Sequence, residues 1–100
     1  MKQIKLENKI LAYMYKENKI NKRNQFNREE FIELFPKESH ETIDVALIEL
    51  GQEGLIYCLS ADSEAYYIEI TRETKKYVEE NHGIFKPILK TVFKIATEFF

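Results

Sequence analysis

Several features that would indicate other protein classes are scarce in this chain. Cys58 is its single cysteine, so no disulfide can form within one chain and a reducing compartment is expected. Glycine occurs three times and proline twice, while 44% of the residues are hydrophobic, which is typical of a globular domain and not of a disordered one. No apolar run approaches a membrane span, and the N-terminus lacks a signal-peptide pattern. We therefore expect one cytoplasmic domain of 100 residues.

The groups that catalysis or metal binding would need are equally few. The chain has two histidines, no glycine-rich phosphate loop and no nucleophile-elbow motif. His40 and Asp44 are four residues apart on a predicted helix, a spacing that suits two metal ligands, but no third ligand accompanies them. We expect a non-enzymatic protein with no metal and no cofactor.

The spacing of apolar residues predicts two helices at the N-terminus. The first is predicted over residues 3–17 and is followed by a polar loop that ends in a short extended piece at Phe26. Asn27, with Glu30 at the third helical position, predicts the cap of a short second helix that Pro36 stops.

A third helix is predicted from its capping and closing residues. Ser39 is the predicted N-cap, and Gly51 and Gly54 close the helix. Its core face is predicted to consist of Ile43, Ala46, Leu47 and Leu50.

Two runs rich in strand-forming residues follow, at 55–59 and 65–70. The polar residues 60–64 between them predict a hairpin with a five-residue connection. On the second strand, the residues predicted to face inward are Tyr66, Ile68 and Ile70.

Two more helices are predicted at the C-terminus. Thr71 is the predicted cap of a fourth helix that extends through Asn81, with Gly83 as its left-handed terminator. Pro87 fits the first turn of a fifth helix over residues 85–100.

Two stretches of the sequence resemble segments of a known protein family. Residues 42–56, TIDVALIELGQEGLI, look like the recognition helix and first wing strand of bacterial winged-helix regulators, and residues 66–74 are similar to their second wing strand and the start of the next helix. Thr74 stands where those proteins have glycine. More narrowly, Glu79-Glu80-Asn81 before an aromatic and basic helix resembles the small prophage-type winged-helix proteins of the YjcQ kind.

The resemblance implies an α+β, mostly helical fold. The implied fold is a winged helix-turn-helix of three helices and a two-stranded wing hairpin, with two additional C-terminal helices. Residues 1–84 would form the winged-helix domain, and residues 85–100 an amphipathic helix that packs on it or forms a dimer interface. The resemblance also implies a regulatory protein of prophage or mobile-element origin.

In the resembling family the third helix binds duplex DNA. The side chains predicted on the outward face of this third helix do not suit that role. Residues 29–50 contain one basic and seven acidic side chains, whereas residues 1–28 contain eight basic and two acidic ones. An acidic helix is repelled by DNA phosphates. A solvated acidic face is one interpretation, but adjacent apolar residues within it favour a protein partner. The residues of this predicted protein-binding face are Glu41, Asp44, Val45, Ile48, Glu49 and Gln52.

The basic N-terminal segment supports an alternative function, that of a DNA-binding transcriptional regulator. Its cations are interleaved with Asn and Gln and not with aromatic residues, which favours contact with phosphates over stacking on bases. The candidate nucleic-acid contacts are Lys16, Lys19, Lys22, Arg23 and Arg28.

The C-terminal helix has a broad apolar face with three interpretations. It can pack on the first helix of its own chain, form a homodimer, or lie on a membrane surface. The candidate dimer-interface residues are Phe85, Leu89, Val92, Phe93, Ala96, Phe99 and Phe100.

Overall fold

The computed structural model describes residues 5–92, and the side chains of residues 5–90. Within this range the chain has five helices and one three-stranded antiparallel sheet, which confirms the predicted α+β, mostly helical class. In chain order the elements are α1 (Leu6–Asn21), β1 (Gln25–Phe26), α2 (Arg28–Leu34), α3 (His40–Gln52), β2 (Tyr57–Ala61), β3 (Glu64–Glu69), α4 (Arg72–Glu80) and α5 (His82–Val92).

Helix α1 is shifted along the chain from its predicted position. Lys5 is extended, so the helix starts at Leu6 and not at Gln3, which lies outside the described residues. It continues past Glu17 to Asn21 and ends at Lys22, whose φ of 59° is left-handed. The prediction of a loop over residues 18–21 was wrong. Turn-forming side chains here stabilise the end of the helix, because the Asn18 amide donates to the Arg23 carbonyl at 2.9 Å.

The predicted caps of α2 and α3 are confirmed. The Asn27 N–H donates to the Glu30 carboxylate at 2.9 Å, which satisfies a backbone group at the start of α2. The Ser39 hydroxyl accepts from the Thr42 N–H at 3.1 Å at the start of α3. The predicted core face of α3 is buried as well.

The sheet has one strand more than the predicted two-stranded hairpin. Its order is β1-β3-β2, and the short β1 pairs with β3 through Gln25 opposite Glu69 and Phe26 opposite Ile68. The extended piece predicted at Phe26 is therefore a sheet strand. It ties the segment between α1 and α2 to the hairpin.

The hairpin turn is tighter than predicted. Only Asp62 and Ser63 connect β2 to β3, and both have positive φ, 53° and 65°. Two left-handed residues in a two-residue connection are typical of a type I′ turn, whose twist matches that of the strands. The prediction of a five-residue connection was wrong, because Ser60 and Ala61 pair with β3.

The predicted inward position of Tyr66 was also wrong. Leu59 pairs with Tyr67 and Ser60 with Ala65, so Tyr66 is an extra residue at a bulge. Its side chain is 63% exposed, while Ala65 and Ile68 are buried. A bulge shifts the alternation of faces by one residue, and simple alternation along the sequence cannot reveal it.

Helix α4 begins as predicted. The Thr71 hydroxyl accepts from the Thr74 N–H at 3.3 Å, and the Thr74 hydroxyl accepts from the Thr71 N–H and donates to the Leu55 carbonyl. Thr74 stands where the resembling regulators have glycine, and here it completes the cap and ties α4 to the segment before β2.

The junction between α4 and α5 differs from the prediction. Helix α4 ends at Glu80 with Asn81 as its C-cap, and α5 begins at His82. Gly83 therefore lies inside α5, where it has no left-handed φ, and does not terminate α4. Pro87 lies inside α5 and not in its first turn.

One hydrophobic core joins the helices to the inner face of the sheet. The first part of α5 belongs to it, since Phe85, Ile88 and Leu89 are buried and α5 packs on α1. The rings of Tyr77 and Phe85 meet edge to face at 5.8 Å, which fixes α5 against α4. No helix within residues 5–92 has both the length and the apolarity needed to span a membrane.

Candidate protein-binding surface on helix α3

The exposed side of α3 carries most of the residues predicted to bind a partner. Val45 is 47% exposed, and Glu41, Glu49 and Gln52 are exposed around it. Ile48 is only partly buried at the margin. We call these five residues, Glu41, Val45, Ile48, Glu49 and Gln52, the α3 ridge.

Asp44 is not on this outward surface, contrary to the prediction. It is 3% exposed, and its carboxylate accepts from Arg28 Nε at 2.7 Å and from Arg28 Nη2 at 2.9 Å. The Ala65 N–H also donates to it at 3.2 Å. The hairpin and α2 cover this side of α3, so a residue opposite the core face is nevertheless enclosed. A helical projection treats one side as core and the other as solvent, and here the helix has a second covered side.

The Asp44 carboxylate is held in its charged form. Burial alone would raise its pKa, but hydrogen bonds from Arg28 and from the Ala65 N–H outweigh burial and lower the pKa below its ordinary value. A bidentate guanidinium pair satisfies both carboxylate oxygens. Asp44 therefore positions the hairpin against α3 and has no free oxygen to offer a partner or a metal.

The hairpin approaches α3 closely at Gly51. A Cβ added to Gly51 would lie 2.9 Å from the Cβ of Cys58 on β2, closer than side chains pack, so the contact requires glycine. Ile48 stands between Asp44 and Gly51 at helical spacing and thus on the hairpin side of α3. Val45 is the apolar member of the α3 ridge that points to solvent.

The α3 ridge adjoins a group of carboxylates on α1 and at the end of α3. Burial raises the pKa of Glu7, and the nearby carboxylates of Glu49 and Glu53 raise it further, while Lys5 opposes the shift. Such a shift arises where negative charges lie close together without full compensation. Negative charge therefore adjoins the α3 ridge at Glu49.

The two arginines of the predicted basic surface are engaged within the protein. Arg28 binds Asp44, as described, and Arg23 Nη1 donates to Glu30 at 2.7 Å and to Glu17 at 3.3 Å. The hydrogen bonds that Arg23 donates to Glu30 are the main reason why the pKa of Arg23 is raised. A guanidinium that holds two carboxylates has little remaining capacity for a phosphate.

The lysines of the basic surface differ from one another. Lys16 pairs with Glu17 at 3.0 Å, and Lys19 lies 3.6 Å from Glu79. Lys22 is exposed, and its ammonium donates to the Lys19 carbonyl at 3.4 Å. Four of the eight cations in residues 1–28, namely Lys16, Lys19, Arg23 and Arg28, are therefore paired with carboxylates of the protein itself.

The candidate dimer-interface residues divide into two groups. Phe85 and Leu89 are buried in the core of their own chain, so they are not available to a second copy. Helix α5 is described as far as Val92, whose side chain is not described. The remaining candidates, Phe93, Ala96, Phe99 and Phe100, lie outside the described residues.

The candidate metal pair does not form a site. Asp44 is occupied by Arg28, and His40 is exposed at the first position of α3. Among residues 5–92 no three side chains of the metal-binding types come together.

The comparisons with known proteins add no family to this description. Neither protein-family models, nor curated proteins, nor solved structures gave a match to this chain.

Proposed function

We propose that this chain is a winged-helix module. The order of α1, β1, α2, α3, β2 and β3, the sheet order β1-β3-β2 and the tight hairpin after α3 support this assignment. In such a module α3 is the recognition helix and the β2–β3 hairpin is the wing. A prophage or mobile-element origin rests on the sequence resemblance alone.

We further propose that the module is non-enzymatic and regulatory, and that it binds a protein partner through the α3 ridge. The observation that carries the proposal is an exposed apolar side chain, Val45, at the centre of the surface a winged helix uses for recognition, with Glu41 and Glu49 beside it. An apolar centre with a charged rim is the usual arrangement of a protein interface. A duplex would place phosphates against these carboxylates and be repelled.

Binding of duplex DNA through the basic segment is less well supported. Of its five candidate contacts, Lys16, Lys19, Arg23 and Arg28 lie within 4 Å of carboxylates of the protein itself. Binding phosphates through them would require those ion pairs to open or to be shared. Of these five, only Lys22 is in no such pair with a described carboxylate, and its side chain is exposed.

The proposal is tested by comparing two substitutions of the same kind. Val45→Lys changes the exposed apolar residue of the α3 ridge, and Ile20→Lys changes an exposed apolar residue on α1 that is 52% accessible. Tagged wild-type and variant proteins are incubated with an extract of the source cells, and captured proteins are quantified. We expect Val45→Lys to lose a partner that Ile20→Lys retains, with both variants folded by circular dichroism.

Two results would reject the protein-binding proposal. One is a partner captured equally by wild type and Val45→Lys. The other is tight binding of labelled random duplex DNA whose salt dependence is flattened when Lys19 and Lys22 are changed to Ala. These lysines are chosen because both are exposed and the pair of Lys19 with Glu79 is exposed too, whereas replacing Arg23 or Arg28 would break a more buried ion pair.

A further inference from the structure

A groove lies where the start of α1, the end of α3, α4 and α5 converge. It has a volume of about 730 Å³, within the range of about 300–1,000 Å³ typical of ligand sites. None of the functions considered above uses it. The described residues that line it are Lys5, Glu7, Asn8, Leu11, Leu50, Glu53, Leu55, Tyr77, Ile84, Pro87 and Ile88.

The floor of the groove is apolar and rigid. Leu11, Leu50 and Ile88 belong to the buried core, so their positions are fixed by packing from below. Leu55 and Tyr77 are partly buried at the sides. Apolar surface that is preformed in this way can receive apolar side chains without a large ordering cost.

Ile84 adds an exposed apolar side chain at the lip of the groove. It is 52% exposed on the first turns of α5, next to Pro87, which also lines the groove. Burying an isoleucine of this exposure against a partner is favourable by the hydrophobic effect. The groove thus has an apolar floor and an apolar lip.

The charge of the rim is predominantly negative. Glu7 and Glu53 line the groove, and Glu49 interacts with Glu7 beside it, whereas Lys5 is a cation on the same rim. A cation placed among the three carboxylates would relieve their mutual repulsion. The rim therefore favours a ligand that carries positive charge next to apolar groups.

We propose that this groove binds a basic amphipathic helix of a protein partner. Leucine-like side chains of the helix would occupy the floor, and a lysine or arginine would lie among Glu7, Glu49 and Glu53. A helix fits better than a strand, because the described residues that line the groove are mainly helical and none of them belongs to a strand that a peptide could extend. The inference goes beyond the α3 ridge and does not depend on Val45.

The test uses the full chain and two labelled peptide probes. One probe is an amphipathic helix of leucine and lysine, and the other has glutamate in place of each lysine. Fluorescence anisotropy measures their affinity for wild type, for Glu7→Gln/Glu53→Gln and for Ile84→Ser. Glu33→Gln/Glu38→Gln is the matched control, because it removes the same charge from exposed positions outside the groove.

We expect wild type to bind the basic probe and not the acidic one. Each groove variant should weaken that binding by about tenfold, while the control pair should change it by less than about twofold. The groove shares Glu49 with the α3 ridge, so the variant that separates them is Val45→Ser, which adds no charge beside Glu49. Val45→Ser should leave binding of the probe in place, so the groove and the apolar centre of the α3 ridge can fail separately. Circular dichroism of every variant establishes that the fold is retained.

Three outcomes would overturn the inference. The first is no binding of the basic probe at low salt. The second is an equal loss in the groove and control variants, which would show attraction to net charge only. The third is a stable dimer in light scattering that Ile84→Ser dissociates, which would assign the groove to a second copy of the chain.

Discussion

Asp44 accepts hydrogen bonds from two elements at once, the Arg28 guanidinium on α2 and the Ala65 N–H on β3. Asp44→Asn keeps the shape of the side chain but removes the charge and leaves the guanidinium partly unpaired. We expect the free energy of unfolding to fall by about 2 kcal/mol, because the Arg28 guanidinium stays largely buried and charged but loses its charged partner. Urea denaturation at neutral pH measures this free energy. Glu41→Gln on the same helix is the control and should change it little.

The same substitution has a defined pH dependence. Since the pKa of Asp44 is lowered in the folded protein, its stabilisation is present above its ordinary value of 3.8 and is lost as pH falls through the folded value. The stability difference between wild type and Asp44→Asn should therefore narrow below pH 3.8. A difference that stayed constant through this range would mean that the charge of Asp44 contributes nothing.

Glu7 should behave in the opposite way. Burial and the carboxylates of Glu49 and Glu53 raise its pKa, so the folded state binds a proton more tightly than the unfolded state. Glu7→Gln should raise stability by about 0.4 kcal/mol at neutral pH, the size typical of a relieved like-charge pair. Thermal unfolding across pH measures the gain, which should disappear below pH 4.5, where both forms are neutral. Glu33→Gln, away from this group, should show no such gain.

At the level of single residues, helical spacing predicted exposure on α3 only where no other element covers the helix, and it missed the burial of Asp44. Val45 and Glu49 are exposed as expected from helical spacing. The Arg28–Asp44 pair was not predicted, because the two residues are 16 positions apart and their contact depends on how α2 and the hairpin pack on α3. The groove was missed for the same reason, since its lining comes from four helices.

At the level of elements, the sequence predicted the helix starts that side-chain caps determine, at Asn27, Ser39 and Thr71. Caps are local, and three or four residues specify them. The predicted hairpin register was wrong. The observed register depends on a two-residue turn and a bulge at Tyr66, and no glycine marks either of them in the sequence. Hydrophobic alternation alone cannot distinguish these arrangements.

The turn provides a prediction of its own. Ser63 has a φ of 65°, a conformation that costs a residue with a Cβ about 1 kcal/mol. Ser63→Gly should therefore stabilise the protein by about 0.5 kcal/mol after the entropy of glycine is counted, and Ser63→Val should destabilise it by about 1 kcal/mol. Urea denaturation of both variants is the measurement. Ser60→Gly, within β2, should lower stability, and a gain there equal to that of Ser63→Gly would contradict the role of the turn.

At the level of the whole molecule, charge is segregated along the sequence, and part of it is paired in space. Residues 1–28 and 29–50 carry opposite net charges, and the fold joins them through Arg23 with Glu30 and Arg28 with Asp44. The charged residues of the α3 ridge, Glu41 and Glu49, are acidic and exposed. A count of charges by segment therefore overstated the basic surface, while the acidic character of α3 persists in three dimensions.

Whether helix α5 unfolds together with the rest of the protein can be tested by replacing Phe85. Because Phe85 is fully buried and its ring packs on Tyr77 of α4, Phe85→Ala should lower the free energy of unfolding by about 3–4 kcal/mol, a large part of the stability of a small domain. The chain has six tyrosines and no tryptophan, so tyrosine fluorescence and far-ultraviolet circular dichroism report on the core and the helices separately. If α5 belongs to the same cooperative unit, both signals should change in one coincident urea transition in wild type and variant. Lys86→Ala, exposed on the same helix, should leave the transition in place, and two separated transitions in wild type would instead show that α5 unfolds independently.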